Sequence, residues 1–315
     1  MEKVKRYKSI DKRVITEGEK IDFTIYLPNE TKTSMTLFLQ SYSVVDSVEK
    51  SRLRQMERLY IEDKDSLRYE AYVQKHIQSI ACAEDIPIDS KALIIYERAT
   101  SVINEMFHNP ESLETVKNTQ PIVNTIVEVI LRDSSAIESL MKITAHDYYT
   151  HTHLLNVSIY ALTLGNHMGI EGSELERLGM AAMLHDIGKS KVDYDIINKN
   201  GKLTEEEFDT MKAHPHLGHE IAIKIGIRDP EILSGIRHHH EKLNGRGYPD
   251  RINRNGISQF ARIIAVCDVF DALTTRRSYK NPMSTFEAIK LMKESMNEHL
   301  DRDIINSLIK MLHKK

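Results

Sequence analysis

Apolar residues recur at helical spacing along most of this chain and at strand spacing only near its start. Ile21-Asp-Phe-Thr-Ile-Tyr-Leu alternates in part and stops at Pro28-Asn29; Thr36-Leu-Phe-Leu and Leu59-Tyr-Ile read as two further short strands. Residues up to about 62 therefore predict a small β-containing unit. From Ser66 the period becomes helical, with Leu67, Tyr69, Ala71, Tyr72, Val73, Ile77 and Ile80 forming a broad apolar stripe ahead of Pro87. A second helix is expected from about Asp89, as N-cap, to Phe107, stopped at Asn109-Pro110, and a third from about Glu111 to Met141.

The second half reads as almost entirely helical. Thr152 to about Met168 ends at Gly169, a good residue just past a helix. Leu175 to Leu184 is an apolar, buried helix, with Ser173 and Glu176 spaced as a capping box. Thr204 and Glu207 form another box, opening a helix that reaches His214, where Pro215 should force a break. A short helix follows to Gly226. Asp229-Pro230 is an N-cap and first-turn pair for a helix that carries His239 and His240 at its far end. Ser258 to about Thr275 is strongly apolar, Ser284 with Glu287 caps one more helix, and Asp301 to about Lys314 forms the last. The fold class is mostly α, with a smaller α+β N-terminal domain (1–140) ahead of a helical domain (141–315).

Length and charge narrow the function. A chain of 315 residues is long enough for two domains with real cores. Its 43 basic and 46 acidic side chains nearly cancel, which argues against a nucleic-acid polymer as partner. No apolar run is long enough to insert into a bilayer, so a cytoplasmic location is expected. Cys82 and Cys267, far apart and in apolar helical settings, do not suggest a disulfide framework.

The chemistry gathers around Met183-Leu-His-Asp-Ile-Gly-Lys189, which puts His185 and Asp186 at the end of the apolar helix. An ionised Asp in an apolar wall needs a metal, a cation or several donors; a local ion pair would satisfy a lone His-Asp. The company downstream changes that balance: His214, the adjacent His239 and His240, and Asp268 inside Ile263-Ile-Ala-Val-Cys-Asp-Val-Phe, with His153 opening another apolar helix upstream. Imidazole and carboxylate ligands suit Fe, Mn, Zn or Ni. Seven such groups exceed what one tetrahedral ion needs, so two divalent transition-metal ions are favoured.

His185-Asp186 with Gly188-Lys189, then His239-His240-Glu241, then Asn244-Gly-Arg-Gly247-Tyr248-Pro249, and finally Asp268-Val-Phe-Asp271-Ala-Leu-Thr-Thr-Arg-Arg277-Ser-Tyr-Lys280 together resemble the HD-GYP family, HD-domain phosphohydrolases that hydrolyse cyclic di-GMP. The resemblance covers about residues 140 to 315 and implies an HD-domain helical bundle. It further implies that His153, His185, Asp186 and Asp268 hold one ion and that Asp186, His214, His239 and His240 hold the other, with Asp186 as the bridge. His151 is a neighbouring rival to His153. Family members with a third ion use a Glu one turn before the first histidine; here that position is Tyr149, so two ions are expected, Fe or Mn, and a third would need Asp147 or solvent to complete it.

The implied activity is cleavage of cyclic di-GMP to linear pGpG, and on to GMP if both bonds are cut, by a hydroxide shared between the ions. Asp186 and Lys189 are the expected catalytic residues, Lys189 about one turn beyond His185 if the helix continues and so within reach of the shared water or a phosphate oxygen. Arg277 and Lys280, nine and twelve positions past Asp268, match the family's phosphate-binding pair, with Arg276 as a confounder. Gly247 and Tyr248 are expected to form a pocket wall, and Asp147 to accept from a guanine edge. His146, His151, His216, His219, His238 and Glu241 are candidates to brace ligands. The front part resembles the uncharacterised amino-terminal domains often joined to such modules. It is expected to sense a signal, pass it to a partner or form a homodimer, or else simply to support the catalytic helices. The rival functions are a non-catalytic cyclic-dinucleotide sensor and an HD phosphohydrolase acting on other nucleotides.

Overall fold

The computed structural model describes residues 6–29, 34–132, 136, 139–140, 143, 150–199, 201–275 and 282–313. The chain divides into two compact units, Met1–Arg98 and Ala99–Lys315.

The first unit holds a four-stranded antiparallel sheet in the order β1-β4-β2-β3, made of β1 (Tyr7–Ile10), β2 (Ile25–Pro28), β3 (Met35–Leu39) and β4 (Leu59–Glu62). The last three are the strands that the alternation predicts. β1 has no such signal because only Ile10 of Tyr-Lys-Ser-Ile is buried. Helix α1 (Ser47–Gln55) was likewise invisible to periodicity: Leu53 is its one buried residue, and it is held instead by an Asp46 and Glu49 capping box. Helix α2 (Ser66–Cys82) buries Tyr72, Val73, Ile77 and Ile80 of the stripe read from the sequence, whereas Leu67 and Ala71 of that stripe are exposed, because the first turns of the helix lie at the edge of the unit's core. Phe23 anchors it through edge-on contacts with Tyr69 and Tyr72, ring centres 5.5 Å apart in both. Helix α3 (Ile88–His108) takes Asp89 into its first turn rather than as its cap.

In the second unit α4 (Glu114–Arg132) is followed by α5 (Thr150–His167) and α6 (Gly172–Leu184). α6 is the centre of the unit: every residue from Leu178 to Leu184 is buried, and α4 and α5 pack on it. Its start corrects the sequence reading. The residue before the helix is Glu171, no side chain caps the first turn, and the Ser173 and Glu176 box does not form because Ser173 is already inside the helix. After a 3-10 turn (Ile187–Lys191) come α7 (Tyr194–Ile197), α8 (Glu205–Met211, with the Thr204 and Glu207 box), α9 (His214–Lys224) and α10 (Pro230–His238). Asp229 caps α10 as expected, accepting from Glu231 and Ile232. Helices α11 (Gln259–Thr274), α12 (Thr285–Ser295, with the Ser284 and Glu287 box) and α13 (Arg302–His313) complete the bundle.

Pro215 plays the opposite part from the one expected. α8 stops at Met211, and Pro215 sits in the first turn of α9, where its missing N–H costs nothing. His214 therefore begins a helix instead of ending one. Cys82 and Cys267 are both free thiols. Among the described residues no helix is long and apolar enough to cross a membrane.

Candidate metal centre

Five helical segments deliver polar groups to one buried place. His185 is the C-cap of α6 and Asp186 follows it, α5 supplies His153, α9 opens with His214, α10 ends just before His239 and His240, and α11 carries Asp268. The relative exposures of His153, His185, Asp186, His214 and His239 are 2%, 0%, 1%, 1% and 1%. Ligand atoms of Asp186, His214, His239 and His240 lie within 4.8 Å of one another, and so do those of His153, His185 and Asp268. All seven residues singled out by type and spacing are brought into these two groups.

Asp186 faces both. Its Oδ1 is 3.0 Å from His214 Nε2 and 3.8 Å from His239 Nε2, while its Oδ2 is 3.5 Å from His185 Nε2 and 3.9 Å from His153 Nε2. His153 Nε2 is 3.0 Å from Asp268 Oδ1, and Asp268 Oδ2 is 3.9 Å from His240 Nδ1.

The tautomers follow from the backbone. Nδ1 of His185, His214 and His239 lies 2.7, 2.7 and 2.8 Å from the carbonyls of Ala182, Met211 and Ile236, each three residues earlier. A carbonyl only accepts, so each Nδ1 donates and each Nε2 presents a lone pair inward. His214 Nε2 and His239 Nε2 then meet at 3.3 Å, lone pair to lone pair. His185 Nε2 and Asp186 Oδ1 are buried with no hydrogen-bond partner. Buried acceptors converging without donors leave room for a cation, and this nitrogen and oxygen set fits divalent transition metals.

The electrostatics agree. Burial alone would raise Asp186, but the charge of Lys189 and the imidazoles around it outweigh that and hold the carboxyl well below the usual range. Asp268 is likewise held far down, against its burial, chiefly by His153. Burial pushes His185 down to about 4 and also lowers His214 and His240, so these imidazoles are neutral and ready to act as ligands near pH 7.

Several expectations are modified. The helix does not continue through Lys189, which lies in the 3-10 turn and donates directly to Asp186 Oδ2. Glu241 braces no imidazole; its Oε1 accepts from the backbone N–H of Asp250 and Arg251 at 2.6 and 2.9 Å, so it holds the loop that follows. Within that loop Tyr248 stacks on His240, centres 4.8 Å apart at 29°. Gly247 is buried against Glu241 and Lys242, where a Cβ would overlap their backbone. His216 pairs with Arg237 and His238 with Asp250. Asp147, Tyr149, Arg276, Arg277 and Lys280 lie outside the described residues, as do His146 and the side chain of His151.

Sequence reasoning named Asp271 within a motif but gave no role to it, nor to Asn156 and Thr275. Asp271 is fully buried; its Oδ2 accepts from His153 Nδ1 at 2.7 Å, and its Oδ1 from Asn156 Nδ2 at 3.1 Å and Thr275 Oγ1 at 2.8 Å. The available signal was a second carboxylate three residues after Asp268, on the same face of an apolar helix.

Comparison with known proteins places this geometry. The HD-domain family model matches residues 127–304, over half of the sequence, and the chain belongs to the HD-domain family. It is 32% identical over 222 residues, 70% of this chain and 53% of the relative, to a cyclic di-GMP phosphodiesterase of Pseudomonas aeruginosa. It is 32% identical over 194 residues, 61% of this chain and 51% of the relative, to the cyclic di-GMP phosphodiesterase response regulator RpfG of Xanthomonas campestris pv. campestris. A 3'3'-cGAMP-specific phosphodiesterase of Vibrio cholerae is 28% identical over 265 residues, 79% of this chain and 55% of the relative. The chain thus spans about half the length of the curated relatives it matches. Among solved structures, Bd1817, an HDG"Y"P protein from Bdellovibrio bacteriovorus, shares the fold with a TM-score of 0.69 over 98% of this chain and 99% of that one, at 23% identity.

Proposed function

We propose that this protein is a metal-dependent phosphodiesterase of the HD-GYP type that hydrolyses cyclic di-GMP. The observation that carries the reading is the placement of Asp186, one oxygen turned to His214 and His239 and the other to His185 and His153. His153, His185, Asp186 and Asp268 would hold one divalent ion, and Asp186, His214, His239 and His240 the other, Fe or Mn by donor type. Such ions, when bound, lower the pKa of water towards neutrality and neutralise phosphoryl oxygens.

The protein's own groups do the rest. Lys189 fixes the orientation of Asp186 and keeps it ionised. Glu241 holds the Gly247 to Pro249 segment against His240, so that Tyr248 walls the site and a nucleobase can lie along it. Arg277 would grip a phosphate bidentately and Lys280 by point contact, with Asp147 accepting from a guanine edge. The N-terminal unit would serve as a regulatory or dimerisation domain.

The test uses protein purified without oxygen, analysed for metal content, and incubated with cyclic di-GMP, 3'3'-cGAMP and nucleotide monoesters. Linear pGpG, with or without GMP, is expected at about two ions per chain. Tight cyclic di-GMP binding with no product would establish a sensor instead, and dominant turnover of a monoester would establish a different HD phosphohydrolase. Replacing Arg277 should raise KM and leave metal content intact.

A further inference from the structure

Three of the inward-facing imidazoles are backed by backbone carbonyls; His153 alone among them is backed by a carboxylate. Asp271 accepts from that ring and from two neutral donors, Asn156 and Thr275, and among the described residues no lysine or arginine pairs with it. Among the described residues the ring of His153 joins Asp271 to the centre, touching Asp271 through Nδ1 and Asp268 through Nε2.

Resting on the metal-centre reading above, we infer that Asp271 makes the two ion positions unequal, so that the group of His153, His185 and Asp268 holds its ion more tightly than the group of His214, His239 and His240. A carboxylate accepting from Nδ1 raises the basicity of the ring and fixes its plane, which a carbonyl does more weakly. The formal charges point the same way. Asp186 is shared, and Lys189 offsets the charge of the oxygen that faces the first group. Asp268 and Asp271 both make their shortest contacts to His153 on that side, whereas the other group offers imidazoles beyond the shared aspartate, with Asp268 Oδ2 no nearer than 3.9 Å to His240. Asp271 is thus a positioning residue, acting on an ion through His153.

The experiment loads the full chain with Mn(II) and dialyses it against graded EDTA, with metal content measured at each step. The native protein should release its ions in two stages separated by at least about tenfold in chelator. Asp271→Asn, nearly isosteric, should weaken the tight stage by about 10- to 100-fold and leave the other where it was. Thr275→Val, which keeps the carboxylate, should leave both stages in place, and His240→Ala should remove only the weak one. Unchanged far-UV circular dichroism and melting of the ion-free variants separate this from misfolding. Two ions leaving in one stage, equal weakening of both by Asp271→Asn, or loss of the tight stage in His240→Ala overturns the inference alone. Native protein that takes up no ion overturns the metal-centre reading and this inference with it.

Discussion

Gly188 lies directly against the backbone of His214: a Cβ on Gly188 would overlap the His214 carbonyl and the N–H of Gly218. This contact seats the 3-10 turn after Asp186 on α9 and so sets the 3.0 Å approach of His214 Nε2 to Asp186 Oδ1. Gly188→Ala must push the two segments apart, since the obstacle is main chain and not a flexible side chain. A cost of about 3 kcal/mol is expected, seen as a lowered Tm, together with loss of the ion held by His214. A variant with native Tm and native metal content would show that the contact does not position the ligand.

Asp186→Ala should lose both ions and all turnover, because Asp186 turns Oδ1 to His214 at 3.0 Å and Oδ2 to His185 at 3.5 Å, one oxygen toward each group. Metal analysis beside a cyclic di-GMP assay reads both effects. Two ions per chain in this variant would count against a bridge.

Glu241→Ala removes the acceptor for the N–H groups of Asp250 and Arg251. The loss should be about 1–3 kcal/mol, confined to the loop, with faster hydrogen exchange there, unchanged metal content and a KM for the dinucleotide raised about tenfold, or ~1.4 kcal/mol. Glu241→Gln keeps an oxygen in place and should recover most of it. Equal metal loss in both variants would assign Glu241 to the ion site instead.

Asp250 links that loop to acid. Its carboxylate takes two hydrogen bonds from Arg237 and one from His238, and these hold its pKa down at about 2. A depressed carboxylate stabilises fully above the unfolded value of about 3.9 and loses that contribution as pH falls through the folded value. Native protein should therefore melt above Asp250→Asn by a constant margin at pH 4.5 to 6, and the margin should close between about pH 4 and 2. The effect is modest because the pair is partly solvated. A margin that does not change with pH would mean the carboxylate charge contributes nothing.

Legibility in the sequence tracked burial. Helices with several buried residues announced themselves, α2 by its period and α6 and α11 by their apolar runs. β1 and α1, with one buried residue each, did not. Capping boxes were readable at Thr204 and Ser284 but misleading at Ser173, because the motif is a spacing and the helix had already begun at Gly172. Pro215 shows the same ambiguity: a proline forbids one kind of continuation without saying which side of it is helix.

By itself the sequence determined the chemistry on offer: which helices are apolar, and that seven imidazoles and carboxylates stand at their ends or on their buried faces. Tertiary structure decided how those groups are shared. Only helix packing turns the two oxygens of Asp186 to opposite groups, gives Lys189 to Asp186, assigns Glu241 to the loop and places Asp271 behind His153. Residue type and local period are properties of neighbours along the chain. Which of two oxygens meets which nitrogen depends on residues such as His153 and Asp271, 118 positions apart, and no local pattern encodes that distance.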